Sequence, residues 1–223
     1  MKDYKTEFKG KRVLITGGSR GIGAAAAQRL IDGGATVAVT ARSRHEQTPA
    51  GATFLEGDLS TLEDATAVAE KALEILGGLD ILINCAAFVE PKLPGIQAIS
   101  DKDWQDSLNL NFLGTVRVTN PLIDALKASG TGSIINVSSG GNTPFGGYFA
   151  HYGAAKAALN NYTQTLAKEL APAGVRVNIV TPAAIVTPGG DKVREPLLAA
   201  MGITADQFFS AAPLEGRAVQ PKN

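Results

Sequence analysis

Within "HYGAAKAALN", residues 151–160, a tyrosine and a lysine stand four positions apart. On a helix that spacing puts Tyr152 and Lys156 on one face, a turn apart. A phenol ordinarily titrates at about 10, too high for acid–base work near neutrality. A neighbouring ammonium favours the phenolate and lowers that value. The pair therefore reads either as a proton donor beside its tuning cation or as an ordinary polar helix surface. Spacing alone favours the surface; other residues have to decide.

A second constellation lies near the start. The apolar run "RVLIT" (12–16) leads directly into "TGGSRGIG" (16–23) and a helical stretch. Gly17, Gly21 and Gly23 would allow a tight turn and remove the Cβ atoms that would keep a pyrophosphate away. Around them Ser19, Arg20 and Ile22 would present backbone N–H groups at a helix N-terminus, where an anion is favoured. This predicts a dinucleotide site. At the end of the second apolar run, in "VAVTARSR", no acidic residue is available for a ribose 2′-hydroxyl. Arg42, followed by Ser43, stands there instead. Together with Arg20 it suits a 2′-phosphate, so NADPH is expected over NADH. Asp58, with Leu59 in "GDLS", is either an acceptor for the adenine amino group or a turn residue.

The remainder of the chain supplies elements to hold these groups. Strands are predicted at 12–16, 36–41, 53–57, 81–84, 133–137 and 175–180, short and β-branched as strands covered on both faces should be. Helices are predicted at 22–32, 61–76, 103–129 and 152–171. Ser60 with Glu63 reads as a capping box, and Gly33-Gly34 and Gly77-Gly78 as helix stops. Such alternation predicts an α/β fold: a doubly wound parallel sheet, three layers αβα, in one domain over 1–223.

Bulk properties narrow the class. The 223 residues hold 21 basic and 21 acidic side chains, which gives no reason to expect nucleic acid or a membrane surface as partner. One cysteine and two histidines exclude a disulfide framework and leave no metal site in prospect. The charged N-terminus and the lack of any long apolar run suggest a soluble, cytoplasmic protein.

With TGGSRGIG, NCAA (84–87), Asn111, "GSIINVSS" (132–139) and Tyr152-x-x-x-Lys156 in this order, the chain resembles the short-chain dehydrogenase/reductase family, over nearly all of 8–188. The resemblance implies hydride transfer between a nicotinamide cofactor and a small-molecule carbonyl or alcohol. It implies Tyr152 as the acid–base group, Lys156 as its tuning cation and a ligand of the nicotinamide ribose, and Ser139 as the residue orienting the substrate oxygen. Asn111 would hold a water that links Lys156 to solvent, and Ser138 would shape the site. Asn84, Ala86 and Ala87 would lie against the cofactor, with Pro182, Ile185 and Thr187 of "TPAAIVTP" around its carboxamide. A catalytically silent nucleotide sensor on the same scaffold is the competing reading.

Two alanines depart from the family's pattern. Ala87 and Ala183 stand where glycine is usual, and Ala87 would be strained if its φ had to be positive. Cys85 reads as a small buried apolar residue. The resemblance implies a further helix and strand beyond residue 223, which the fold is expected to lack, the chain being either truncated or a naturally shortened member. A homodimer or homotetramer is expected, the dimer pairing outer apolar stripes of the long helices. Residues 189–212 would form a substrate lid with helical pieces at 195–201 and 205–211, facing 144–150. Phe145, Tyr148, Phe149, Phe208 and Phe209 would wall a pocket or simply fill core, while Lys192 and Arg194 would be solvated.

Overall fold

The computed structural model describes residues 4–139, 146–182 and 185–210. Six parallel strands form one sheet: β1 (Arg12–Thr16), β2 (Thr36–Ala41), β3 (Thr53–Glu56), β4 (Ile81–Asn84), β5 (Ser133–Val137) and β6 (Arg176–Val180). Their order is β3-β2-β1-β4-β5-β6, so the chain reverses its direction of travel between β1 and β4. Loops leaving those two strands diverge and open a crevice at their carboxyl ends. That is where "TGGSRGIG" and "NCAA" fall.

Helices cover both faces, because strands this apolar must be buried twice. On one face α1 (Gly21–Asp32) lays Ala27 and Leu30 over Val13, Ile15, Val37 and Val39. The other core is larger. Leu14, Leu82 and Ile134, aligned across β1, β4 and β5, meet α2 (Leu62–Leu76), the long helical run from 101 to 128, and α6 (Ala150–Leu170). This is the three-layer fold expected from the strand–helix alternation.

Several boundaries differ from the sequence-based expectation for identifiable reasons. α2 is capped one residue later than predicted: Thr61, not Ser60, accepts from the Asp64 N–H at 3.1 Å. Ser60 is spent on the preceding turn, where its N–H reaches Asp58. The long helix is three segments, α3 (Asp101–Leu108), α4 (Gly114–Thr119) and α5 (Ile123–Ala128), joined by a π turn at Asn109–Leu113 and a 3-10 turn at Asn120–Leu122. Pro121, which has no N–H to donate, accounts for the second break. α7 (Pro188–Met201) starts seven residues before the predicted piece, and α8 (Ala205–Ser210) follows. Thr187 caps α7, with Pro188 at its first position, a start signal masked by Gly189-Gly190. Part of the apolar outer stripe expected of the long helices is used within the chain, Trp104 against His151 and Phe112 against Tyr162.

Candidate active site

At the β1–β4 crevice the glycine turn is fixed by sterics. Gly17 and Gly21 have φ of 68° and 57°. A Cβ on Gly17 would lie 2.8 Å from the Ala86 backbone, and one on Gly23 only 2.3 Å from the Gly17 carbonyl oxygen. The Gly17 and Gly18 N–H groups both donate to the Thr40 carbonyl, which pins the turn to the end of β2. No side chain fits at positions 17 and 23, so there the backbone itself faces the crevice.

The crevice holds about 400 Å³. Residue 17 and residues 19–23 line it from the glycine turn, Arg42 and Ser43 from the end of β2, and Asp58 and Leu59 from the end of β3. Cys85, Ala86 and Ala87 line it after β4, and Thr187 beyond β6. The left-handed positions seen among the described residues are glycines, so the strain envisaged at Ala87 is not realised. The arginines Arg20 and Arg42 make no hydrogen bond or salt bridge among the described residues, though the field of Arg42 reaches Asp58. Asp58 is held below the usual carboxylate range, chiefly by the Ser60 backbone N–H, with Arg42 assisting. It is therefore a turn-former that also lines the crevice. Thr40 lines it too, with a fully buried hydroxyl that has no partner. Backbone approach, free arginines and an unpaired hydroxyl together fit a dinucleotide.

The crevice lining stops short of Tyr152 and Lys156, but Cys85 joins the two regions. It lines the crevice and acts electrostatically on both side chains. The lysine Nζ lies 5.7 Å from the centre of the Tyr152 ring and donates to the Val137 carbonyl at 2.9 Å. Ser139 lies near enough to Tyr152 for its hydroxyl to favour the phenolate. Its neighbour Ser138 instead donates to Asn160 at 2.6 Å and to the Val180 carbonyl through its N–H, tying β5 to α6 and β6. The end of β5 thus presents Ser139 to Tyr152 and anchors Lys156.

Electrostatics here differ from the simple expectation. Burial pushes Tyr152 above its ordinary value, and Ser139 only partly offsets this. Burial also pulls Lys156 down, to about 8. Lys156 is only 2% exposed and touches a carbonyl rather than a carboxylate, so its charge lacks a counterion. In the protein alone burial outweighs the acidification expected of Lys156 together with an oxidised nicotinamide ring. Cys85 is pushed up to about 11 by burial and stays a thiol, but it lines the crevice instead of simply filling core.

Three further residues have partners that the sequence did not indicate. Asn111 sits in the π turn, fully buried: Oδ1 accepts from the Phe88 N–H at 2.9 Å, and Nδ2 donates to the Phe88 and Ser107 carbonyls at 2.8 and 3.1 Å. It clamps the loop after β4. Asn84 faces the buried layer beneath the crevice, donating to Thr119 and Asn136. Arg194, expected in solvent, is 8% exposed, pairs with Asp191 and stacks on Phe208 and Phe209. Those rings join α8 to α7, whereas Lys192 is solvated as expected. Pro182 and Ile185 lie between β6 and α7, outside the crevice lining. Pro144, Phe145 and Ala183 fall outside the described residues.

Sequence reasoning missed the loop between β2 and β3. His45 lines the crevice, and Gln47 accepts from the Gly21 N–H at 3.1 Å. No motif marks them; the available signal was eleven residues (42–52) without helical periodicity in a parallel crossover.

An open α/β sheet with a glycine turn at its switch point defines a dinucleotide-binding protein. Residues 11–197 match the family model described as short chain dehydrogenase, and the chain belongs to the short-chain dehydrogenase/reductase family of oxidoreductases. It is 34% identical over 193 residues to the short-chain reductase NovJ of Streptomyces niveus, covering 82% of this chain and 72% of that one. Among solved structures it is similar to L-sorbose reductase from Gluconobacter frateurii, complexed with NADPH and L-sorbose, with a TM-score of 0.87 and 28% identity, covering 98% of this chain and 88% of the other. It is also similar to the 3-ketoacyl-(acyl-carrier-protein) reductase from Brucella melitensis complexed with NADH, with a TM-score of 0.81, 29% identity, and 96% and 87% covered. Among the described residues no helix is long and apolar enough to cross a membrane, and no cluster could hold a metal ion.

Proposed function

We propose that this chain interconverts a small-molecule carbonyl and its alcohol with NADP(H) in preference to NAD(H), using Tyr152, Ser139 and Lys156. The observation that carries the reading is their juxtaposition at the Cys85 end of the crevice: Ser139 near Tyr152, with the Lys156 ammonium 5.7 Å from the ring.

The cofactor supplies or accepts the hydride when bound. The chain's own residues handle the proton and the charge. Oη of Tyr152 gives its proton to the substrate oxygen as negative charge develops there, and recovers it in the reverse direction. The Ser139 hydroxyl donates to the same oxygen and holds it in line. Lys156, fixed by the Val137 carbonyl, is in position to bond the nicotinamide ribose and to favour phenolate when its own proton is retained. Asn111 acts on position: its amide holds Phe88 and thereby the Ala86–Ala87 wall. Solved relatives carry NADPH or NADH, so family membership leaves the cofactor open. Arg20 and Arg42, unpaired on the crevice lining with no acid at the end of β2, favour the phosphorylated form.

The test is NADPH oxidation over a panel of ketones and hydroxyketones, followed by absorbance, with Tyr152→Phe alongside. The variant is expected to lose about 10²- to 10⁴-fold in kcat while binding NADP+ within about twofold of wild type. Cofactor binding without turnover on any substrate would favour the silent sensor instead.

A further inference from the structure

The chain crosses from β2 to β3 in eleven residues, 42–52, without a helix, and this crossover is built into the cofactor crevice. Thr48, 8% exposed, is its knot. Its hydroxyl donates to the Ser19 carbonyl in the glycine turn at 3.3 Å and accepts from the His45 N–H at 3.0 Å. Its N–H returns to the His45 carbonyl at 2.9 Å. Gln47 closes the other end, its amide oxygen on the Gly21 N–H. The loop is therefore fixed to the two sides of the phosphate-facing turn, and His45 is the side chain it delivers to the lining, with Arg20, Arg42 and Ser43.

The imidazole is also set in one tautomer. The Gln47 backbone N–H donates to Nδ1 at 3.2 Å, so Nδ1 is an acceptor and the ring proton sits on Nε2. Nε2 has no partner among the described residues. A half-buried donor, oriented by its own loop and left unused in the crevice that Arg20 and Arg42 also line, calls for an anionic acceptor.

We propose that His45 is a third ligand of the phosphate on the adenosine ribose, donating from Nε2 beside Arg20 and Arg42. The proposal rests on the NADP(H) reading above and adds a residue to it.

Calorimetric titration of NADP+ and NAD+ onto the purified cofactor-free protein tests it without turnover. His45→Asn places an amide oxygen where Nδ1 was, so it keeps the Gln47 bond while withdrawing the distal donor; His45→Gln extends a donor to the Nε2 position. His45→Asn should weaken NADP+ by about ten- to a hundredfold, the loss expected for one hydrogen bond to a charged group, and leave NAD+ within about twofold. His45→Gln should retain NADP+ within about threefold. Equal weakening of both nucleotides by His45→Asn, or of neither, overturns the proposal. Arg42→Ala separates the two levels: if it leaves the NADP+/NAD+ ratio unchanged, the phosphate reading itself fails. If it abolishes the ratio while His45→Asn preserves it, only His45 is excluded.

Discussion

A phenol and an amine 5.7 Å apart do not by themselves make an acid–base pair, because burial acts on both. It destabilises phenolate and ammonium alike, so Tyr152 moves up from its usual value while Lys156 comes down to about 8. As pH rises in the cofactor-free protein, Lys156 loses its proton first and has no charge left to offer when Tyr152 ionises. The difference in tyrosinate absorbance between wild type and Tyr152→Phe should therefore show Tyr152 titrating above about 10, the ordinary phenol value. Lys156→Met should leave that midpoint nearly in place. A wild-type midpoint below 10 that climbs in Lys156→Met would restore direct acidification by the lysine. Tyr152 and Lys156 stood out by type and spacing, but their roles, like that of Ser139, came only with the family resemblance. The Val137 carbonyl that anchors Lys156 was not legible, since a backbone acceptor has no signature in residue type.

At the scale of elements, regular pieces were readable where one force dominated. Strand cores announced themselves by continuous apolar runs, and α2 by its glycine stop. Irregular pieces were not, because two effects compete there. The π turn at Asn109–Leu113 looks helical in sequence, yet it is what turns Asn111 inward onto Phe88. Likewise Thr187-Pro188 begins α7 even though Gly189, Gly190 and Pro196 argue locally against a helix. The Asn111 clamp makes a prediction about this element. Asn111→Leu conserves volume but leaves the Phe88 N–H, the Phe88 carbonyl and the Ser107 carbonyl without their bonds to the buried Asn111 side chain. It should cost about 2–5 kcal/mol in urea unfolding, the penalty for leaving such groups unmade. Stability equal to wild type would mean that the clamp is dispensable and that Asn111 serves some other end.

Across the whole molecule, the doubly wound parallel sheet followed from strand–helix alternation, whereas the strand order and the place of its switch point came from the structure. What holds the opposite, amino-terminal edge of the sheet together is less visible in sequence. Asp80 there accepts from the Arg12 N–H at 2.9 Å and from Arg12 Nε at 2.8 Å, while its own backbone bonds Arg12 and Ser133, joining β1, β4 and β5. Burial works against the Asp80 charge, but the Arg12 hydrogen bonds outweigh it, with help from Lys11, and the carboxyl is held below its usual range. A carboxylate with a depressed folded-state pKa adds stability that is complete above its unfolded value of about 3.9. That stability disappears as pH falls through the folded value. Asp80→Asn, similar in shape but uncharged, should therefore be less stable than wild type by about 1–3 kcal/mol at pH 7. Urea unfolding at pH 7, 5 and 3 should show this gap unchanged between the first two and narrowing at the third. A gap independent of pH would assign the loss to altered hydrogen bonding alone and remove the Asp80 charge from the forces that hold the three strands.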